Sequence, residues 1–219
     1  MTAPQHRRHL LIFARNPTPG QVKTRLIPTL GVESATAIYR RMLHDTLVTC
    51  SALEVQQREL WLDRVAVAPD AGTAMLDSFD LSLHQQSGQD LGLRMHHAFA
   101  SSLQTADSAV LIGTDCPEYD PPYLHAAFEV LEQEDAVLGP AADGGYVLIG
   151  LRKTDCTLFR DIPWGTDGVL AATRRQLQRL HWTWSELPVR HDVDVPADLD
   201  RFPHLRPQPL EQPPGRSQE

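Results

Sequence analysis

Short apolar runs alternate with stretches of helical periodicity along most of the chain. Leu10-Leu11-Ile12-Phe13-Ala14 is a continuous apolar run, as expected of a strand buried on both faces. Val65–Ala68, Leu81–His84, Ala109–Ile112, Ala136–Leu138 and Tyr146–Ile149 read as further strands. Between them, apolar residues recur at helical spacing through Ala35, Ile38, Tyr39, Met42, Leu43 and Leu47, then through Leu91, Met95, Ala98, Phe99 and Leu103. A third helix is marked by Tyr123, Leu124, Ala127, Phe128 and Leu131, and a fourth by Val169, Leu170, Thr173, Leu177 and Leu180. Strand–helix alternation of this kind predicts a doubly wound, mostly parallel α/β sheet with helices on both faces. The end, Pro203 to Glu219, is rich in Pro, Gln and Arg and is expected to be a mobile tail on a single domain spanning 1–202.

Composition narrows the function classes. The 219 residues carry a formal net charge of -8, which argues against nucleic acid or an acidic membrane as partner, since both are held by Lys and Arg. A single nucleotide needs only a local positive pocket. Cys50, Cys116 and Cys156 form no CxxC pair and read as reduced thiols of a cytoplasmic protein. No apolar run approaches the roughly 20 residues that span a bilayer. The histidines show no HxxxH spacing, so a histidine zinc site is not expected. Nothing in the pattern specifies an oligomeric state.

In an open α/β sheet, ligands bind beyond the carboxyl ends of the strands, and three of four polar constellations sit there. The first runs from Arg15 to Leu26, with Pro19, Gly20, Lys23 and Arg25. Such a loop turns backbone N–H groups toward an anion and adds two cations, and both cations are expected to be exposed. It is not a P-loop, because Val22 precedes Lys23 and the glycine spacing is absent. A solvated basic turn is the structural alternative. The second, Gly113-Thr114-Asp115-Cys116-Pro117, places a carboxylate where it would hold Mg²⁺ or Mn²⁺ against a diphosphate. A helix N-cap or Asx turn is the alternative for Asp115, and Cys116 is expected to pack. The third, Gly139 to Tyr146, holds Asp143, Gly144 and Gly145. It reads as a hairpin turn, and an Asp143 that also faces the pocket would bind a substrate hydroxyl, touch the metal shell or act as a base. The fourth, Asp192-Val193-Asp194, would point both carboxylates at one ion from an extended segment, or would simply start a helix before Pro196. Trp164-Gly165-Thr166 would line an acceptor pocket or anchor a loop. Gln89 to Met95 opens a helix whose first N–H groups would meet an anion, or Asp90 simply caps it, which is the more economical reading.

Phe13 through Leu26, Gly113–Pro117, Gly139–Tyr146, Trp164–Thr166 and Asp192–Asp194, in that order, resemble the signature blocks of a bacterial family, the radical-SAM/selenodomain-associated transferase 1 group. Some of its members are labelled arsenosugar biosynthesis glycosyltransferases. The likeness runs from about Leu10 to Phe202 and departs at Arg15-Asn16, where the family would carry a Lys and a small residue. The family is similar to nucleotide-diphospho-sugar transferases of GT-A fold. The resemblance therefore implies a Mg²⁺- or Mn²⁺-dependent glycosyltransferase that takes a nucleotide-sugar and a small-molecule acceptor. It implies nucleotide and phosphate contacts from Ala14, Arg15, Pro19, Gly20, Lys23, Arg25, Gly113 and Thr114. It implies metal contacts from Asp115 and from Asp192 or Asp194, catalysis at Asp143 and Asp115, and an acceptor site at Gly144, Gly145, Tyr146, Trp164, Gly165 and Thr166. Lys23-Thr24-Arg25-Leu26 and Asp45-Thr46-Leu47 also resemble the 2-phospholactate guanylyltransferases. This keeps nucleotidylyl transfer from a nucleoside triphosphate as an alternative, and a non-catalytic nucleotide-binding module as a second.

Overall fold

The first strand sets the layering. β1, Arg8–Ala14, sends Leu10, Ile12 and Ala14 into one apolar core and Leu11 and Phe13 into another, because successive side chains of a strand point to opposite faces. The computed structural model describes residues 6–64 and 74–206, and within them every long element follows the same division. Helix α1 (Ile27–Ser51) and helix α3 (Pro121–Val130) pack into the first core through Tyr39, Leu43, Leu47, Leu124 and Phe128. Helix α2 (Leu91–Ser102) and helix α4 (Val169–Arg179) cover the other face through Met95, Phe99, Leu170 and Leu177.

The remaining strands are β2 (Gln57–Leu62), β3 (Ser82–Gln85), β4 (Ser108–Ile112), β5 (Ala136–Pro140), β6 (Tyr146–Leu151) and β7 (Trp184–Glu186). They form one sheet in the order β3-β2-β1-β4-β6-β5-β7. Strand β6 is antiparallel to both of its neighbours, and every other pairing is parallel. This is the mostly parallel, doubly covered sheet that the alternating pattern predicts. The loop from Ala141 to Gly145 joins the antiparallel pair β5–β6, so the hairpin reading of that segment holds. None of the described helices is long and apolar enough to cross a membrane.

The expected strand Val65–Ala68 lies outside the described residues. The strand paired with β1 opposite β4 is Gln57–Leu62, whose polar start hides it from a search for apolar runs. Strand β7 escapes the same search because it is three residues long and partly exposed. The expected boundary at Phe202 also moves: Pro203–Leu205 forms a 3-10 turn, and Leu205, 4% exposed, joins a third cluster with Leu26, Ile38, Met42 and Val193. One apolar anchor is enough to dock a segment whose average composition reads as solvated.

The polar start of β2 is accommodated by a buried network on the α2 side. Glu59 is 3% exposed. One of its oxygens accepts from Ser102 Oγ at 2.9 Å and lies 3.0 Å from His9 Nδ1, while the other accepts from Trp61 Nε1 at 2.9 Å. Burial alone would raise the Glu59 carboxyl. The hydrogen bonds from His9, Ser102 and Trp61, with the nearby His84, outweigh it and hold the group below its ordinary 4.5. A carboxyl depressed in the folded state contributes stability above its unfolded pKa and loses that contribution as pH falls through the folded value. Glu59→Gln turns an amide donor toward existing donors and should destabilise by about 2 kcal/mol near neutrality, roughly 4–8 °C in Tm. Thermal unfolding of both proteins should show the gap narrowing below about pH 4.5. A gap that is the same at about pH 3 and pH 7 would rule out an ionised Glu59.

Candidate functional site

The strands' carboxyl ends open into a cleft of about 890 Å³, and one tyrosine sets its edge. Tyr39 reaches from α1 to the residue that follows β1. Its hydroxyl accepts from the Arg15 N–H at 2.7 Å and donates to the Arg15 carbonyl at 3.0 Å. Thr114 Oγ1, after β4, lies 3.4 Å from the same oxygen. Burial pushes this phenol well above its ordinary range, so it stays protonated and serves as a clamp. The next residue, Asn16, donates its N–H to Asp63 Oδ1 at 2.7 Å, which ties the β1 loop to the end of β2.

That loop then folds back inward. Lys23 adopts a left-handed conformation, φ 46 and ψ 43, a region uncommon for residues other than glycine, asparagine and aspartate. The turn carries its side chain into the structure, where it is only 5% exposed. Its ammonium pairs with Asp115 Oδ1 at 2.7 Å and donates to the Val193 carbonyl. The Val193 N–H in turn donates to the Asp115 carbonyl at 2.9 Å. The late acidic segment is thus fastened to the loop after β4 from both sides. The expectation that Lys23 would be exposed is corrected, because a desolvated ammonium needs the two acceptors it has found. Arg25 does stay exposed and pairs with Asp194 at the rim.

Asp192 and Asp194 both line the cleft but have different neighbours, so the expectation of one shared ion for the pair changes. Asp194 turns to Arg25. Half-buried Asp192 sits in the field of Asp143 and Asp115. Its carboxyl is raised by burial first, then by the negative charges of Asp143 and Asp115, with Lys23 acting in the opposite direction. Asp115 and Asp192 therefore share one lysine, and Asp143 acts on Asp192. Among the described residues no three Asp, Glu, His or Cys side chains converge tightly enough to hold an ion without further ligands. The buried Cys116 thiol is pushed up to about 12 by desolvation, in keeping with a packing role.

The β5–β6 hairpin and the loop before α4 close the other end. Asp143 lines the cleft and also accepts the Gly145 N–H at 2.9 Å, so it makes its own turn. Gly144 does not line the cleft. Its φ is +92, and an added Cβ would stand 2.3 Å from the Asp167 carbonyl oxygen, so close packing explains the glycine. Trp164 both lines the cleft and anchors its loop: it meets Tyr146 edge-on at 6.4 Å and lies against Gly92 of α2. Ala14, Arg15, Gly113, Thr114, Gly145, Tyr146, Gly165 and Thr166 also reach the cleft, whereas Pro19 and Gly20 do not.

Sequence reasoning passed over Tyr39, Asp63 and Gln86 as cleft residues. Asp63 follows the strand whose polar start hid it. Gln86 donates from Nε2 to the carbonyls of Ala14 and Trp61 at 3.1 and 2.9 Å, a role with no motif. Leu91, Arg94 and Met95 lie on α2, whose expected cap is present: Asp90 Oδ1 accepts the Leu93 N–H at 2.8 Å.

Residues 49–166, more than half of the chain, match the family described as an uncharacterized protein conserved in bacteria, DUF2064. Among curated proteins no sequence relative was found. A crystal structure from Desulfovibrio desulfuricans G20, provisionally named a nucleotide-diphospho-sugar transferase, is 32% identical, with a TM-score of 0.77 over 87% of this chain and 84% of that one. Two more distant structures share the fold. The inositol-1-phosphate CTP transferase of T. maritima is 13% identical, with a TM-score of 0.58 over 92% of this chain and 95% of that one. The glucosyl-3-phosphoglycerate synthase of Mycobacterium tuberculosis, solved with Mn²⁺, UDP and glucosyl-3-phosphoglycerate, is 11% identical, with a TM-score of 0.53 over 91% of this chain and 76% of that one.

The two loop cations should separate cleanly in stability. Lys23→Met strands the Val193 carbonyl and the Asp115 carboxylate and should cost about 1–2 kcal/mol, roughly 2–8 °C in Tm. Arg25→Ala removes an exposed pair and should stay within about 0.5 kcal/mol. Differential scanning calorimetry decides: equal melting temperatures for the two variants would show that the Lys23 contacts do not hold the site together.

Proposed function

Because the chain belongs to the bacterial DUF2064 family and, with it, to the nucleotide-diphospho-sugar transferase superfamily, we propose that it moves a glycosyl group from a nucleotide-diphospho-sugar to a small-molecule acceptor. One observation carries this reading: the Lys23–Asp115 pair lines one cleft together with Asp192 and Asp143. The nucleotide would lie over the ends of β1, β2 and β3, beside Arg15, Asp63 and Gln86. Its diphosphate would reach Gly113, Thr114 and the Lys23–Arg25 turn. The acceptor would enter from the hairpin and Trp164.

Transfer breaks the bond between the sugar's anomeric carbon and the phosphate oxygen, and the electron pair leaves with the diphosphate. The acceptor oxygen forms the new bond and gives up its proton. Exposed Asp143, which lines the cleft, would take it as general base. Lys23 offsets charge on the carboxylate group, and Arg15 and Arg25 are within the same cleft to meet phosphate oxygens.

A divalent cation suits this donor set. Asp192 is raised first by burial and then by the charges of Asp143 and Asp115, and a bound cation would offset the second of these. Carboxylate oxygens are hard ligands, and Mg²⁺ or Mn²⁺ commonly takes one or two of them and completes its shell with substrate oxygens. Asp115 and Asp192 would hold it, with Asp143 nearby. When bound it would neutralise the leaving diphosphate.

Nucleotidylyl transfer is the second reading, favoured by the Lys23-Thr24-Arg25-Leu26 run and distinguished by its product. Release of a nucleoside diphosphate identifies glycosyl transfer, and release of pyrophosphate identifies the other. Asp115→Asn keeps the size and turn capacity of the residue and removes its charge. It should lower Tm by roughly 2–8 °C, because it leaves the Lys23 charge without its partner, and weaken nucleotide binding in the presence of Mn²⁺ by at least about tenfold. Titration calorimetry with UDP- and GDP-sugars, with and without Mn²⁺, measures this. A variant that binds nucleotide and metal as the parent does would leave Asp115 a structural residue.

A further inference from the structure

The cations that line the cleft differ in how they are satisfied. Among the described residues they are Arg15, Lys23, Arg25 and Arg94. Buried Lys23 is paired with Asp115, exposed Arg25 is paired with Asp194, and exposed Arg15 has Nη1 3.5 Å from the Gln21 carbonyl. Arg94, in the first turn of α2, is partly buried. Among the described residues it pairs with no carboxylate, and its side chain has one acceptor, the Gly88 carbonyl, 3.1 Å from Nε. A guanidinium drawn even partly out of water needs acceptors for its donors. Nη1 and Nη2 have no protein acceptor among the described residues.

The Gly88 contact restrains the guanidinium. Gly88 has φ +142, and an added Cβ would stand 2.7 Å from the Arg94 backbone nitrogen and 2.9 Å from Leu93 Cβ. Only glycine lets the loop after β3 lie this close to the start of α2, and that approach brings the Gly88 carbonyl to Nε. Because the group is planar, a hydrogen bond at Nε restrains its plane and leaves the Nη1–Nη2 edge open. The other α2 residues that line the cleft, Leu91 and Met95, are apolar, so neither competes for that edge. Met95, next in the chain to Arg94, has Sδ 4.0 Å from the Tyr146 hydroxyl. Arg94 is thus tied to the loop after β3 and adjoins the residue that meets β6.

We infer that Arg94 is an oxyanion receptor of the cleft: it takes a phosphate or carboxylate of a substrate through Nη1 and Nη2 while the Gly88 carbonyl holds Nε. Paired charge-assisted hydrogen bonds to one oxyanion match the geometry of that edge. A hydroxyl or amide oxygen would leave the charge unmatched. The inference rests on the reading of the cleft as a substrate site, whichever group is transferred. The oxyanion belongs either to the phosphates of a nucleotide or to an acidic second substrate, and the experiment separates the two.

The test uses the full chain. UDP and GDP are titrated by calorimetry in the presence of Mn²⁺. Inorganic phosphate is titrated without metal by phosphorus NMR, into the free protein and into protein saturated with whichever nucleotide binds. Arg94→Ala should weaken the nucleotide or the phosphate by at least about tenfold. Arg94→Lys keeps the charge, loses the fork and should recover no more than about threefold of that loss. Lost nucleotide affinity assigns the oxyanion to the nucleotide. Lost phosphate binding by the nucleotide-loaded protein, with nucleotide affinity kept, assigns it to the second substrate. Either result upholds the receptor. A lower Tm with both affinities within about twofold of the parent leaves Arg94 a strut for the Gly88 loop and overturns the inference. So does an Arg94→Lys variant that binds as the parent does. Nucleotide binding that ignores Arg94, with no binding of phosphate, sinks this inference alone. Arg94-dependent phosphate binding without UDP or GDP binding upholds it and sinks the nucleotide reading. Wild-type protein that binds none of the probes overturns both.

Discussion

The ammonium of Lys23 is where three distant stretches of chain meet. It belongs to the loop after β1, pairs with Asp115 after β4 and donates to the carbonyl of Val193 near the end of the described chain. A lysine head this poorly exposed is tolerable only when its charge and its donors are matched. The matching explains several features that look unrelated. The left-handed backbone at Lys23 aims the side chain inward. The Val193 N–H bonds back to Asp115, which fixes the segment carrying Asp192. Asp192, raised by burial and by the charges of Asp143 and Asp115, has Lys23 acting in the opposite direction.

Around that centre the sheet divides the cleft. Strands β3, β2, β1 and β4 run parallel, so their carboxyl ends deliver loops to one side. The antiparallel β6 brings its amino end to the same side, next to the carboxyl end of β5. Parallel strands supply the cation-bearing half through the loops that follow them. The reversed strand supplies the other half through a short hairpin, where Asp143 forms its own turn and Gly144 leaves room for the Asp167 backbone. Trp164 bridges the two, touching α2 on one side and Tyr146 on the other.

Much of this was legible in the sequence, for a physical reason in each case. Leu10–Ala14, Ala109–Ile112 and the four helical patterns are dominated by burial, which leaves a direct trace in residue order. Asp115 and Asp143 were legible as cleft residues because polar residues at strand ends have few other places to go. Gln57–Leu62 was not, because Glu59 is buried by hydrogen bonds made by His9, Ser102 and Trp61, which lie on three parts of the chain. The inward turn of Lys23 depends on one backbone conformation and a carbonyl some 170 residues away. The different partners of Asp192 and Asp194 likewise depend on Arg25 and Asp143, which sequence spacing does not relate. Leu205 was lost in the average composition of its surroundings.

The contacts that close the site are long in sequence, and this has a kinetic consequence. Pairing Lys23 with Asp115 and then with Val193 closes successively larger loops, each opposed by chain entropy that grows with its length. Topology of this kind slows folding, and the cleft is complete only when the segment around Val193 docks. Anything that binds the finished cleft binds the docked form alone, and so draws the equilibrium toward it by mass action. Protection of the Val193 and Asp194 amides against hydrogen exchange would then follow ligand concentration more closely than protection of the β1 amides. The segment around Val193 would in this way report on occupancy of a site that begins at the first strand.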